Sequence, residues 1–447
     1  MANGELPPQV QAFRRAAAQV PAYGLLLSEA GIAVDSISTA KDFYRVPVLE
    51  KRSTFQRFPV AQLCVAGELG RLGSVLTSSG HSGIFAYGLT TADAQADASR
   101  TIDDLLDYVF SVRSKPTLLI NCLPMGVKVH TEACTLAETS VRPDMVVGLV
   151  KAFGAHYQQI ILVGEAAFIK HTLELGVRGG VDWKNLLVHV IVGEEPLAEN
   201  ARKYIESLLG IDVSRPKTGI VVSSMGVAEL GLNIFSEVPP PTVLVVLRRA
   251  LHENLELRRV ILGGAEFVPS FFTYDPKRIF VEFDASGHLL ITTLDPRLRL
   301  PLIRYATGDR GHFLQIPVAV RTVIESLGIP WGLFETIPVV AIQGRGDHAL
   351  SGKYPVYPEV IKEGIYHDPE LAVLTTANFR LVSGATRVRV RIQLSSGVAP
   401  SYEIHERFAE AIARYLHHPF EVSCETYESF GSGMTLDYER KFQYLGP

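Results

Sequence analysis

The segment Leu76-Thr77-Ser78-Ser79-Gly80-His81-Ser82-Gly83 sets hydroxyls and glycines directly after an apolar pair. Hydroxyls donate hydrogen bonds to phosphate oxygens, and glycines let backbone N–H groups approach them closely. Three readings compete for this stretch: a phosphate-binding loop, a plain turn, and a hydrolase nucleophile elbow. The elbow fits least well, because Gly-x-Ser-x-Gly would end on Ile84, whose branched side chain crowds a strand-to-helix turn. The Walker Gly-x-x-x-x-Gly-Lys-Ser/Thr pattern is absent, so an ordinary P-loop NTPase is not supported.

Four further segments combine glycine with charge. They are Gly193-Glu194-Glu195-Pro196, Met225-Gly226-Val227-Ala228-Glu229, Arg304-Tyr305-Ala306-Thr307-Gly308-Asp309 and Gly344-Arg345-Gly346-Asp347. Taken alone, each acid reads equally well as a solvated surface carboxylate. Their order and spacing resemble the adenylate-forming superfamily of acyl-CoA synthetases and adenylation domains, most closely phenylacetate-CoA ligase and its relatives. That group opens with a helical segment and a Pro-Val-x-x-Lys phrase, matched by Arg45-Val46-Pro47-Val48-Leu49-Glu50-Lys51. Its Gly-Ala-Glu-Pro motif is similar to Gly193–Pro196. Its phrase before the ribose-binding aspartate is similar to Leu289–Leu294 followed by Pro301–Tyr305.

The resemblance implies a site for ATP, Mg²⁺, a small-molecule carboxylic acid and coenzyme A. Ser78, Ser79, Gly80, Ser82 and Gly83 would hold the β- and γ-phosphates. Glu194, Glu195 and Pro196, with Met225 and Gly226, would line the adenine pocket. Glu229 would bind Mg²⁺, a hard cation that prefers carboxylate and phosphate oxygens. Asp309 would accept from the ribose hydroxyls, with Arg345 supporting the same sugar. Lys441, beside Arg440, would offset the negative charge of the adenylation transition state. Asp347 stands where the family places its hinge. The chain also departs from the family. Met225 replaces an aromatic residue, Ala228 a hydroxyl residue, and His81 a small hydroxyl residue. Ile84 and Phe85 stand in place of lysine and proline. These departures bear on ATP affinity rather than on fold.

Composition frames this reading. The chain has 447 residues, 47% hydrophobic and 20% charged, which excludes wholesale disorder. Lys plus Arg number 43 against 47 Asp plus Glu, a net charge of −4, so no basic field exists to draw nucleic acid. No stretch approaches the ~18 apolar residues of a membrane span. The N-terminus lacks a basic start followed by an apolar core, so a cytoplasmic protein is expected. Cys64, Cys122, Cys134 and Cys424 form no Cys-x-x-Cys pair, and His417-His418 is the only close histidine pair. A disulfide scaffold and a zinc site of the usual spacing are therefore not expected.

Several elements must position these residues. Leu118–Ile120, Ile160–Val163 and Leu187–Val192 read as buried strands, alternating with helices over Asp144–Phe153 and Ala198–Leu209. This predicts an α/β fold with a mostly parallel, doubly wound sheet. Helical spacing from Val10 loosens into loop near Gly31, and Thr242–Leu247 is a strand-length apolar run. Beyond residue 240 short strands dominate, at Arg278–Phe283, Leu289–Thr293 and Val339–Ile342, giving a β-rich subdomain. Gln343–Asp347 is small and polar and suggests a boundary. The expected division is a large adenylation domain, residues 1–343, and a small mobile α+β lid, residues 344–447. The lid should carry a helix near Val356–Ile365, a strand at Arg387–Gln393 and a helix at Ile404–Leu416.

Phe110, Met125 and Phe153 are candidate linings for an aromatic or otherwise apolar acid. A carrier protein in trans and a homodimer are further candidate partners; nucleic acid and membrane are not. Two alternatives stand beside the CoA ligase: acyl transfer to a protein thiol, with Cys424 as the small domain's one cysteine, and a nucleotide-binding protein that has lost turnover.

Overall fold

Short, fully apolar strands build the centre of the molecule in the computed structural model, which describes residues 6–78, 83–124, 126–212, 218–238, 242–345, 349–350, 355–384, 387–431 and 442–446. The strands β1 (Leu72–Thr77) and β2 (Tyr87–Thr91) form a separate antiparallel hairpin. The central strands are β3 (Thr117–Asn121), β4 (Thr135–Glu138), β5 (Gln159–Gly164), β6 (Val188–Val192) and β7 (Val221–Val227). They pair in parallel in the order β4-β3-β5-β6-β7. Strands β3 and β5 are buried at every position, as a parallel sheet covered on both faces requires.

Side chains alternate between those faces. Leu118, Ile120, Ile160, Leu162, Val188 and Val190 pack with the helices Pro143–Phe153, Ala166–Arg178 and Glu199–Leu209. Leu119, Ile161 and Val163 face the other way, against Leu106 and Phe110 of the helix Ala92–Phe110.

The β-rich region continues this same sheet. From β7 it runs antiparallel through β8 (Gly231–Ser236), β9 (Ser270–Thr273), β13 (Val339–Arg345), β12 (Tyr305–Phe313), β11 (His288–Thr293) and β10 (Ile279–Phe283), making eleven strands in all. The hairpin between β10 and β11 turns on Asp284, whose Oδ1 accepts the Ser286 and His288 N–H groups, and on Gly287, with φ +80°.

One local expectation changes, and two are refined. The run Thr242–Leu247 belongs to a helix, Val243–Glu253, because Leu244, Leu247 and Leu251 recur at helical spacing and are all buried. The N-terminal segment forms two helices, Pro8–Gln19 and Pro21–Glu29, with Pro21 opening the second. The polar stretch at Gln343–Asp347 is strand through Arg345, held by the β12–β13 ladder; Gly346 and Asp347 lie outside the described residues.

After residue 355 come the helix Pro358–Ile365, the strands β14 (Thr375–Ser383), β15 (Val388–Leu394) and β16 (Phe420–Glu425), and the helix Tyr402–Ala413. The two helices cross at Gly364, where an added methyl would come within 2.6 Å of Ile412 Cγ1. This region shares one apolar cluster with the parallel sheet: Val190 and Ile205 belong to it together with Val360, Phe379 and Phe408. Among the described residues, no helix is long and apolar enough to cross a membrane.

Candidate active site

Parallel strands end with their loops on one side, and ligands bind where such a sheet changes its winding. In this sheet the strand order reverses between β3 and β5, and the parallel run ends at β7, beyond which the sheet turns antiparallel. The loop after β6 carries Gly193–Pro196, with Glu194 held at φ +72° and the Glu195 N–H closing onto Gly193 O at 2.9 Å. A glutamate kept left-handed marks a backbone fixed by its surroundings.

Two cavities open at this point. One, of about 190 Å³, runs between the helix Ala92–Phe110 and the sheet. Leu106, Val109, Phe110, Leu119, Val163 and Ile191 wall its depth; Lys51, Thr77, Ser78, Glu229 and Arg345 stand among its polar lining. The other, of about 70 Å³, is lined by Glu195, Pro196, Met225, Asp309, Arg345, Glu359, Lys362 and Tyr444, among others. Glu194, Ser224, Gly226 and Arg345 line both.

Register explains how distant residues meet here. Asp309 faces Arg345 across β12 and β13, with Nε to Oδ1 at 3.6 Å. Leu49 bridges to Tyr305, and Arg304 donates to Tyr44 O at 2.8 Å and Val46 O at 2.5 Å. This lays the Arg45–Lys51 phrase along β12. Glu229 Oε1 in turn meets Tyr305 Oη at 2.7 Å and Lys51 Nζ at 3.3 Å. Burial, and then the Glu229 charge, raise the Tyr305 phenol's pKa, so Tyr305 is a donor here.

The second cavity holds a buried charge cluster. Glu195 Oε2 accepts from Lys362 Nζ at 2.7 Å and from Tyr444 Oη at 2.6 Å. Glu165 follows β5 and caps the helix Ala166–Arg178 through the Ala167 and Phe168 N–H groups. Burial, and then the Glu195 charge, push its carboxyl pKa up to about 7. Burial opposes the Lys362 charge, but Glu195 and Glu359 outweigh it and raise the pKa.

The structure brings Ser78, Glu194, Glu195, Pro196, Met225, Gly226, Glu229, Asp309 and Arg345 together around the two cavities. Ser78 Oγ accepts the Ala86 N–H at 2.9 Å and thereby holds the loop's base to the hairpin. Gly83 adopts φ +74°. Ser79, Gly80, His81, Ser82, Met125, Arg440 and Lys441 lie outside the described residues.

Phe110 does line the chamber, but Phe153 does not. It stands 48% exposed at the end of the helix Pro143–Phe153, whose apolar face is spent on Val146, Val147 and Val150. Cys424 is buried on β16, and burial, then the neighbouring Glu425, lift its thiol to about 12, which disfavours the thiolate needed of an acyl acceptor. Among the described residues no group of three or more His, Cys, Asp or Glu could hold a metal ion.

Sequence reasoning missed Glu165, Glu359, Lys362 and Tyr444, and gave Lys51 no role. Lys51 had a signal, its place in the Pro-Val-x-x-Lys phrase. Glu359 and Lys362 sit at i, i+3 on a helix, the ordinary spacing of a solvated charged face.

No protein-family model and no curated protein matches the sequence. Solved structures do. The chain is similar to 2-hydroxyisobutyryl-CoA ligase in its postadenylation state in complex with R3-HIB-AMP. That match has a TM-score of 0.68 at 16% identity, over 98% of this chain and 88% of that one. An open conformation of the same ligase with 2-HIB-AMP and CoA gives 0.56 at 14% identity, over 98% and 90%. Its thioesterification state with 2-HIB-AMP and CoA gives 0.55 at 16% identity, over 98% and 88%. The chain thus has the fold of adenylate-forming CoA ligases.

Proposed function

We propose that this chain, built on the adenylate-forming fold, activates a carboxylic acid with ATP and passes the acyl group to coenzyme A. One observation carries the reading: an apolar chamber joins a polar pocket at Glu194, Ser224, Gly226 and Arg345. An acid whose tail fills the chamber presents its carboxylate at that junction. ATP in the second pocket would have its ribose hydroxyls on Asp309 and Arg345 and its phosphates toward Ser78 and Lys51.

A carboxylate oxygen then attacks the α-phosphorus, the bond to the β-phosphate oxygen breaks, and pyrophosphate leaves with that electron pair. Arg345 and Lys51 hold fixed positive charge at the mouth, and Lys441 would add a third as charge develops. Magnesium, when bound, would neutralise phosphate charge beside Glu229. In the second half-reaction the thiolate of coenzyme A attacks the acyl carbonyl and AMP leaves. Residues 1–343 would serve as the adenylation domain and 344–447 as its lid, in the cytoplasm where ATP and CoA are supplied.

The walls favour an apolar acid. An apolar cavity of about 150 Å³ accommodates benzene, and this chamber, at about 190 Å³, is of that order or larger. A charged or hydroxylated tail would lose its water without a partner, at roughly 1–3 kcal/mol for an unmet hydrogen bond. Free coenzyme A is the acceptor the site favours over Cys424, given that thiol's burial.

A panel of aromatic, aliphatic and dicarboxylic acids, scored by pyrophosphate release and by thioester formed with CoA, tests the reading. Apolar monocarboxylates should respond and dicarboxylates should not. A nucleotide-binding protein without turnover is the second reading, favoured by Met225 and Ala228. ATP binding with no pyrophosphate from any acid would select it.

A further inference from the structure

Residues 355–446 send three polar side chains into the nucleotide pocket: Glu359, Lys362 and Tyr444. Two of them are engaged, since Lys362 and Tyr444 converge on the same oxygen of Glu195. Lys362 Nζ also lies 4.6 Å from the centre of the Tyr444 ring, so these groups form one rigid clasp.

Glu359 is different. Its carboxylate accepts its own backbone N–H, and among the described residues no side chain donates to it. An added methyl on Gly344 would come within 3.3 Å of Glu359 Oε1 and 3.7 Å of Pro196 Cγ. The carboxylate and Pro196 therefore flank Gly344. Burial raises the Glu359 pKa; Lys362 and Arg248 favour its charge and Glu195 opposes it. Its place in the first turn of the helix Pro358–Ile365 suits a negative charge. A pocket-lining acceptor met by no side-chain donor suits a ligand group that carries N–H and no lone pair directed at it.

We propose that Glu359 is the base-reading residue of the nucleotide pocket, accepting a hydrogen bond from the exocyclic amine of adenine. Lys362 is its positioning partner: by holding Glu195, it leaves Glu359 as the acceptor open to the base. A purine with a carbonyl at that position sets oxygen against carboxylate and gains no bond. The inference rests on the proposed ATP site and deepens it, from a nucleotide pocket to one that selects its base.

The test titrates the full-length protein with ATP and with inosine triphosphate, which differs by replacing the amine with a carbonyl. Binding is read by calorimetry and by melting-temperature shift. Wild-type protein should bind ATP about tenfold or more tightly than inosine triphosphate, because a site built to accept from N–H rejects the analogue lacking it. In Glu359→Gln the amide can donate to the carbonyl, so the gap should close to within about threefold. Asp309→Ala should weaken both nucleotides alike. Equal wild-type affinities overturn the proposal, as does an unchanged preference in a normally melting Glu359→Gln. The wild-type comparison stands even if the variant misfolds. Binding of neither nucleotide overturns the adenylation reading itself.

Discussion

Glu363 caps the helix Glu199–Leu209 from outside it: Oε1 accepts the Glu199 N–H at 2.7 Å and Oε2 the Asn200 N–H at 2.9 Å. Asn200 answers by donating to Glu363 O at 2.8 Å and to Tyr415 Oη at 2.7 Å, and His252 approaches the carboxylate at 3.1 Å. Lys170 adds a second buried tie, to Thr375 O at 2.7 Å. A lid expected to be mobile is thus fastened to the large body, in this arrangement, by charge-assisted bonds beneath a shared apolar core.

Removing that cap should loosen the fastening. Glu363→Ala leaves two N–H groups of a buried helix end unmet, a loss of roughly 2–4 kcal/mol. The melting temperature should fall, and amide exchange at Glu199 and Asn200 should speed up while β3 and β5 stay protected. Glu363→Gln, which keeps one acceptor oxygen, should do less harm. Equal exchange in Glu363→Ala and wild type would show that the apolar contacts alone hold the region.

Glu165 gives the fold a pH dependence of definite sign. Its carboxyl titrates at about 7 in the folded chain, against an ordinary 4.5. Between those values the folded state keeps a proton that the unfolded chain has released. This group's contribution to stability is therefore full below the lower value, declines as pH rises, and levels off above the upper one. Glu165→Gln keeps an acceptor for the helix Ala166–Arg178 and removes the titration. Its melting temperature should vary less than wild type from about pH 5 to about pH 8 and should exceed it at the upper end. Parallel curves would show that Glu165 ionises freely.

The parts of this molecule legible in the sequence were those written in local pattern. Ile160–Val163 and Leu187–Val192 are unbroken apolar runs, and they are buried parallel strands. Thr242–Leu247 was cut short at the first arginine, so the recurrence that reaches Leu251 went unseen. The motif order located Glu195, Asp309 and Arg345, but the contact of Asp309 with Arg345 depends on the β12–β13 register, which no local pattern encodes. Glu359, Lys362 and Glu363 read as a solvated helix face. Only the fold, by setting that helix against Glu195 and the end of Glu199–Leu209, makes them buried and specific.

Phe110 lines the apolar chamber proposed to hold the acid's tail and should set its depth. Phe110→Leu removes ring atoms from a packed wall and should destabilise the protein by about 1–2 kcal/mol. The enlarged chamber should shift preference toward longer apolar acids, seen as a higher kcat/KM for them in pyrophosphate release. An unchanged order of preference would place the acid's tail elsewhere. Phe153→Leu, at an exposed position, should leave both stability and preference as they were.

Cys424 separates the two acceptor chemistries. Buried on β16 with its thiol lifted to about 12, it should take no acyl group. Cys424→Ser should form thioester on CoA at close to the wild-type rate. A hydroxylamine-sensitive label left on the wild-type chain by labelled acid and ATP, and lost in Cys424→Ser, would reverse this and make the protein its own acceptor.

Lys441 lies outside the described residues, yet the cavity junction defines what it must do if the tail reaches the site. Arg345 stands at that junction and Lys51 in the adjoining chamber, so a further ammonium takes effect only as the α-phosphate gains charge. Removing one such preorganised contact typically costs ~10²–10³ in rate. Lys441→Ala should therefore nearly abolish acid-dependent pyrophosphate release. ATP binding should change little, because the residues proposed to hold the sugar are Asp309 and Arg345. Conversion of a supplied acyl-adenylate to thioester should survive if that step uses the other face of the small domain. Arg440→Ala serves as the neighbouring control and should keep most of the activity. If both half-reactions fall together in Lys441→Ala, the lysine is holding the fold. If Arg440→Ala is the inactive variant, the arginine occupies the catalytic place.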